Sequence, residues 1–263
     1  MSETSEEMTF WDHLDILRGT IFRSILGIVL VAGVLMCFKN VLFDGFILAP
    51  TRQSFYLYDL LGLEFSMDLI NTEISAQFFV HLKVSFICGF ILAFPYVCFE
   101  LWKFIAPALY ANEKKAVSTA FASSSILFYI GVTIGYLLIL PITLSFFQGY
   151  KVSENVVNTI TLNSYISMFS SMVLLFGIVF EFPVLIAVLS KMGLVTREGM
   201  KQYRKHALVG VLLVAAIITP ADPFSMVIAA APLWLLYELS IAVCAKGSTD
   251  EDNDEDEVDE VSP

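Results

Sequence analysis

From Ala116 to Tyr150 the chain runs 35 residues without a single charged side chain. A helix needs only about 20 apolar residues to cross roughly 30 Å of hydrocarbon, so this run alone is long enough to span a bilayer with residues to spare. Pro141 is placed to bend its far end, and the surplus can be taken up as tilt or as a turn outside the membrane. The whole composition agrees, with 57% apolar, 14% aromatic and only 16% charged residues. The chain therefore reads as an all-α polytopic membrane protein.

Further spans follow in order. Thr9 and Asp12 can start a helix whose positions Phe10, Leu14, Leu17 and Ile21 share one face. This predicts an amphipathic entry helix over residues 1–23, lying on the membrane with Trp11 at headgroup depth before it turns into a first span from Ser24 to Phe38. Residues 40–71 mix Pro50, Arg52 and Gly62 with Phe46, Ile47 and Leu60, a pattern that predicts an ordered extramembrane cap. The second span runs from about Ile74 to Leu101, with Lys83 inside it and Pro95 placed to kink it. A fourth span, about Tyr165 to Ser190, is interrupted by Glu181 directly before Phe182 and Pro183. The break at Thr219-Pro220-Ala221-Asp222-Pro223 divides the last apolar stretch into fifth and sixth spans, of which His206 to Thr219 would be only about 21 Å long.

Six spans place both termini on one side. On that side lie eleven of the lysines and arginines, among them Arg18, Arg23, Lys103, Lys114, Lys115, Arg204 and Lys205; the other side holds three, Lys39, Arg52 and Lys151. The positive-inside rule then makes both ends cytoplasmic in a multi-pass protein of the cytoplasmic (inner) membrane. The membrane domain covers residues 24–246. Residues 247–263 form an acidic tail that should be disordered and cytoplasmic; nine carboxylates between Asp250 and Glu260 account for most of the net charge of −11. That acidity is no argument for a basic partner, and nothing points to nucleic acid.

Enzyme chemistry finds no footing. There is no HExxH, GxSxG or Walker glycine loop, and His13, His81 and His206 are scattered over separate segments. The four cysteines, Cys37, Cys88, Cys98 and Cys244, lie in or beside apolar runs without CxxC spacing and read as buried thiols. No cofactor or metal is expected. What remains is a small set of charged residues in costly places. Glu181 is ionisable inside an apolar span, and so needs a protein partner, a cavity or a bound helix. Phe104 to Lys115, FIAPALYANEKK, is a proline-ordered polar interruption at the cytoplasmic face. In it Asn112 can cap the third span, with Glu113 in the first turn where a carboxylate complements the helix dipole.

Five motifs carry a resemblance to a known family: HLDILR at His13 to Arg18, FIAPALY followed by Glu113, SSSILFYIG at Ser123 to Gly131, FGIVFEFPV at Phe176 to Val184, and TPADPFS at Thr219 to Ser225. In this order the chain, from about Phe10 to Lys246, resembles the TatC family of the twin-arginine protein translocase. The resemblance implies six spans with cytoplasmic termini, short fifth and sixth helices, and a glove-like concave bundle. It implies the signal-peptide-recognising core of the translocase, which exports folded proteins across the membrane using the proton gradient. The partners implied are twin-arginine signal peptides, single-span proteins of the TatA and TatB types, membrane lipid, and further copies of the chain in a larger complex.

By the same resemblance Glu113 is the first choice for contacting the paired arginines, whose guanidiniums are read best by partly shielded carboxylates. The family motif HLxELR has a glutamate where this chain has Ile16. The nearest acid, Asp15, is one residue earlier and about 100° round a helix, so either Asp15 or Asp12 substitutes or Glu113 carries more of the recognition. Arg18 matches the motif's arginine as an organiser of that cluster. Glu181 matches the family's membrane acid facing the cavity or a partner helix, and Asp222 sits in its short outer turn, where a helix-capping role serves equally well. The alternative from another class is a secondary transporter of a small solute using Glu181 and Lys83 as an intramembrane pair.

Overall fold

The computed structural model describes residues 10–62, 65, 67–106, 111–153, 155, 158–220 and 222–244, with the backbone alone at 10–13, 61, 111–120 and 122. Two antiparallel helices open the bundle: α1, Phe10–Cys37, and α3, Ala76–Ile105. They pack because small residues let them approach. A Cβ added at Gly89 would lie 3.0 Å from the backbone of Ala32, so only glycine fits at the crossing. Otherwise α1 turns large side chains such as Phe22, Leu30 and Val34 outward, as a lipid-facing helix does. It is one continuous helix through the entry segment and the span. No proline interrupts it, and its 28 residues measure about 42 Å, so one end projects beyond the hydrocarbon.

The third span is compound. α4 (Ala111–Ile134) passes through a π-helical turn, Gly135–Ile139, into α5 (Leu140–Gly149). Pro141 lacks the N–H that would continue the ladder, and the wider turn absorbs the mismatch. The fourth span is broken: α6 (Leu162–Val179) stops at Phe180 and α7 (Phe182–Lys191) restarts, with Pro183 in its first turn. Between α4 and α6 the packing is again tight, since a Cβ at Gly131 would sit 2.6 Å from the Phe176 carbonyl oxygen. Phe94, Phe128, Phe169 and Phe176 fill the core that these helices share with α3, and Phe94 stacks on Phe128.

After the short α8 (Arg197–Gln202), α9 (Arg204–Ile218) has 15 residues, about 22 Å, and is short as expected. The last helix, α10 (Pro223–Val243), is not: 21 residues give about 32 Å, enough to cross. Near its far end Glu238 is paired with Arg204 at 2.7 Å. Five segments are thus long and apolar enough to cross a membrane, and α9 is a shorter apolar helix beside them.

Residues 40–71 form the expected ordered cap. A π-helical turn, Val41–Ile47, and the helix α2 (Tyr56–Leu61) are held down by tyrosines. From the bundle, Tyr136 donates to the Phe46 carbonyl at 2.8 Å and Tyr165 donates to that of Ile47; within the cap, Tyr58 donates to that of Pro50. Buried hydroxyls need such acceptors, and the irregular backbone here leaves carbonyls unused. Strand β1 (Leu69–Ile70) pairs in parallel with β2 (Ile160–Thr161), which leads directly into α6. Cys88, Cys98 and Cys244 are buried thiols, but Cys37 is exposed, at the end of the outward-facing α1.

Candidate functional site

Most of the candidate residues lie toward the end of the bundle opposite the cap. Three contacts set the α1–α3 register: Ala32 on Gly89, Gly27 beneath the Tyr96 ring, and Arg23 to Glu100. The numbers rise in one helix as they fall in the other. Continued along α1, that register carries HLDILR to the level of Ile105, where α3 ends and FIAPALY begins. Both Asp15 and Arg18 are exposed on this part of α1. Asp12 lies one turn from position 16 and on the same helical stripe, whereas Asp15 is about 100° away. The side chains of Asp12 and Glu113 lie outside the described residues; the backbone puts Glu113 in the first turn of α4.

One layer deeper is a cluster that the sequence pattern did not reveal. Glu100 is 3% exposed, although polar, because Arg23 Nε reaches its Oε2 at 2.7 Å and Lys103 Nζ lies 3.5 Å from Oε1. Arg23 also donates to Thr20 Oγ1, and Lys103 sits over the Phe99 ring. A signal was available: Arg23 and Glu100 stand near the same end of two consecutive, hence antiparallel, spans. Position near a span end alone would instead let Glu100 snorkel to water.

Glu181 lies at the break between α6 and α7. It occupies the N-cap position of α7, yet its side chain does not cap that helix. Ser124 Oγ on α4 donates to Glu181 Oε2 instead, and Ser124 Oγ is 3.4 Å from Cys98 Sγ on α3. The other carboxylate oxygen, Oε1, is buried without a protein partner among the described residues. The level of Cys98 is about 10 Å from the end of α3, so this acid is nearer the basic end than mid-span. Polar atoms from three helices thus meet at an acid with spare accepting capacity, which suits a hydroxyl or amide from a bound helix.

Other expected residues are placed elsewhere. Asp222 is the N-cap of α10, accepting from the Ser225 N–H at 2.6 Å, with Pro223 in the first turn. It is 9% exposed at the capped end. Lys83 donates to Ser167 at 3.2 Å and does not meet Glu181. Ser167 and Glu181 are 14 positions apart, about 20 Å along the fourth span, so the transporter-like pair is not formed.

Comparison with known proteins bears on the same residues. A family model described as Sec-independent protein translocase protein (TatC) matches residues 12–232. A curated relative of that name from Blattabacterium sp. subsp. Periplaneta americana is 35% identical over 258 residues, covering 92% of this chain and 97% of that protein. The protein of the same name from Escherichia coli (strain K12) is 31% identical over 234 residues, covering 87% and 85%. A crystal structure described as the twin arginine translocase receptor TatC in DDM superposes with a TM-score of 0.74 at 32% identity, covering 89% of this chain and 99% of that one.

Proposed function

Because the chain belongs to the TatC family of Sec-independent protein translocase proteins, we propose that it is the translocase component that recognises twin-arginine signal peptides and starts the export of folded proteins. It is a multi-pass membrane protein of protein transport rather than a classical enzyme. The observation that supports the reading is the α1–α3 register, which brings the HLDILR motif level with Ile105 at the end of α3. On this reading acids from two segments, Asp12 or Asp15 on α1 and Glu113 at the start of α4, share the contact with the paired arginines at the basic end. Two neighbouring guanidiniums match two carboxylates held apart on rigid helices better than one.

Glu181 belongs to the step after recognition. Its unused oxygen lies at a break in the span and offers an acceptor to a single-span TatA- or TatB-type helix or to the apolar part of the signal. The chain works with such single-span partners, in the cytoplasmic membrane, with both termini cytoplasmic and the proton gradient as energy source. Deleting the gene tests this. Export of a folded, cofactor-bearing protein with a twin-arginine signal should stop, and should return with the intact gene; continued export would reject the reading.

A further inference from the structure

At the capped end a cavity of about 550 Å³ opens between the end of α5, the start of α6 and the α9–α10 turn. Its wall is divided by chemistry. Thr159, Ser164, Ser167 and Ser171 line it with hydroxyls, while Met168 and Ile217 are among the residues that make it apolar. Among the described residues no aspartate or glutamate lines it. Lys83 reaches Ser167 from α3, and among the described residues no carboxylate pairs with this ammonium. One serine oxygen takes one of its three N–H donors, leaving two for something else.

The depth of Lys83 narrows what that is. With 30 residues, α3 is about 45 Å long against roughly 30 Å of hydrocarbon, so each end projects about 7 Å. Lys83 lies seven positions from its start, about 10 Å in, just below the level of lipid phosphates and within snorkelling range. Snorkelling brings this exposed ammonium to the depth at which lipid phosphates are its nearest anions. The cavity has the size of a small-molecule site and would hold only about one turn of a helix 10–12 Å across.

We propose that this cavity binds one phospholipid of the leaflet at the capped end, its phosphate held by Lys83 and the serine hydroxyls and the start of an acyl chain against Met168 and Ile217. Charge complementarity selects the occupant: the described lining offers hydroxyls and no acid, and an ammonium bonded to one of them, Ser167, stands beside it, which suits a phosphate diester. Such a lipid would fill the gap beside the short α9, where the span itself does not reach across.

Native mass spectrometry of the full chain, released from nanodiscs containing phosphatidylglycerol, phosphatidylcholine or diacylglycerol, tests this. One tightly retained phospholipid per chain is expected, with diacylglycerol, which lacks the phosphate, retained at least tenfold less. Lys83→Gln should lower phosphatidylglycerol retention at least fivefold, and Lys83→Arg should keep it, each variant being checked for intact fold by circular dichroism. Equal retention of diacylglycerol, or of phosphatidylglycerol by Lys83→Gln, would overturn the proposal. So would a carbodiimide cross-link in native membranes joining Lys83 to a carboxylate of another polypeptide.

Discussion

Arg23 on α1 and Glu100 on α3 form an ion pair of 2.7 Å that closes the first two spans against each other one layer below the FIAPALY loop. Its partners differ in setting: the arginine is half exposed and the carboxylate is buried. Losing Arg23 therefore leaves a shielded charge, whereas losing Glu100 leaves a cation that can turn to water. Arg23→Ala is expected to destabilise the protein by about 1–2 kcal/mol, below the value for a fully buried pair because one partner is wet. Thermal unfolding in detergent, with a double-mutant cycle against Glu100→Gln, should give a positive coupling; additive losses would mean that the pair contributes nothing.

The Glu181 carboxylate depends on Ser124 for its one protein hydrogen bond. Ser124→Ala should destabilise by about 1–3 kcal/mol, the penalty of a buried polar group left without its donor. Glu181→Ala removes the acid together with its need for a partner; it should leave signal-peptide binding intact and abolish export. An export assay run beside a binding assay separates these outcomes, and full export by Glu181→Ala would remove the acid from the transport step.

Asp222 holds the start of α10 through Ser225. Asp222→Ala should cost about 1 kcal/mol of stability, as loss of a helix cap does, while Asp222→Asn should recover most of it. Peptide binding at the opposite end of the bundle should not change in either variant. A loss of binding equal to that of a Glu113 variant would show that the turn does more than cap.

Position 16 tests how the helix-1 acid is replaced. Ile16 is exposed on α1, and the family motif would have glutamate there. Ile16→Glu should strengthen binding of a twin-arginine peptide severalfold, because a carboxylate returns to the stripe that Asp15 misses by about 100°. Titration of the peptide into both proteins in nanodiscs measures this, and weaker binding by Ile16→Glu would show that the chain has settled on a different geometry.

Much of the architecture was legible in the sequence because hydrocarbon imposes length and polarity limits that few residues can evade. Charge-free runs located the spans, prolines 141 and 183 marked where helices would be disturbed, and TPADPFS announced a turn whose aspartate caps a helix. What stayed hidden depended on register between helices. The Arg23–Glu100 pair follows from how deeply Gly89 lets Ala32 approach, a distance no local pattern records. The level of Glu181 follows likewise from where α4 packs on α6 and α7. The sixth span was expected to be short from the resemblance alone, and its 21 residues are long enough to cross. The entry segment and the first span share one continuous helix from Phe10, since an amphipathic pattern does not by itself break a helix. Of the candidate acids, composition could say which residues were charged, and only the α1–α3 register carries HLDILR to the level of Ile105 at the end of α3.

On the proposed function the loop following α3 carries the larger share of arginine recognition, with Glu113 its main contact. The most direct measurement is the affinity of a twin-arginine signal peptide for the intact protein and for Glu113→Ala and Asp15→Ala in nanodiscs, with a twin-lysine peptide as the control. Glu113→Ala should weaken the twin-arginine peptide at least tenfold, Asp15→Ala by clearly less, and both should narrow the preference for arginine over lysine. Unchanged affinity and preference in the two variants would contradict the account.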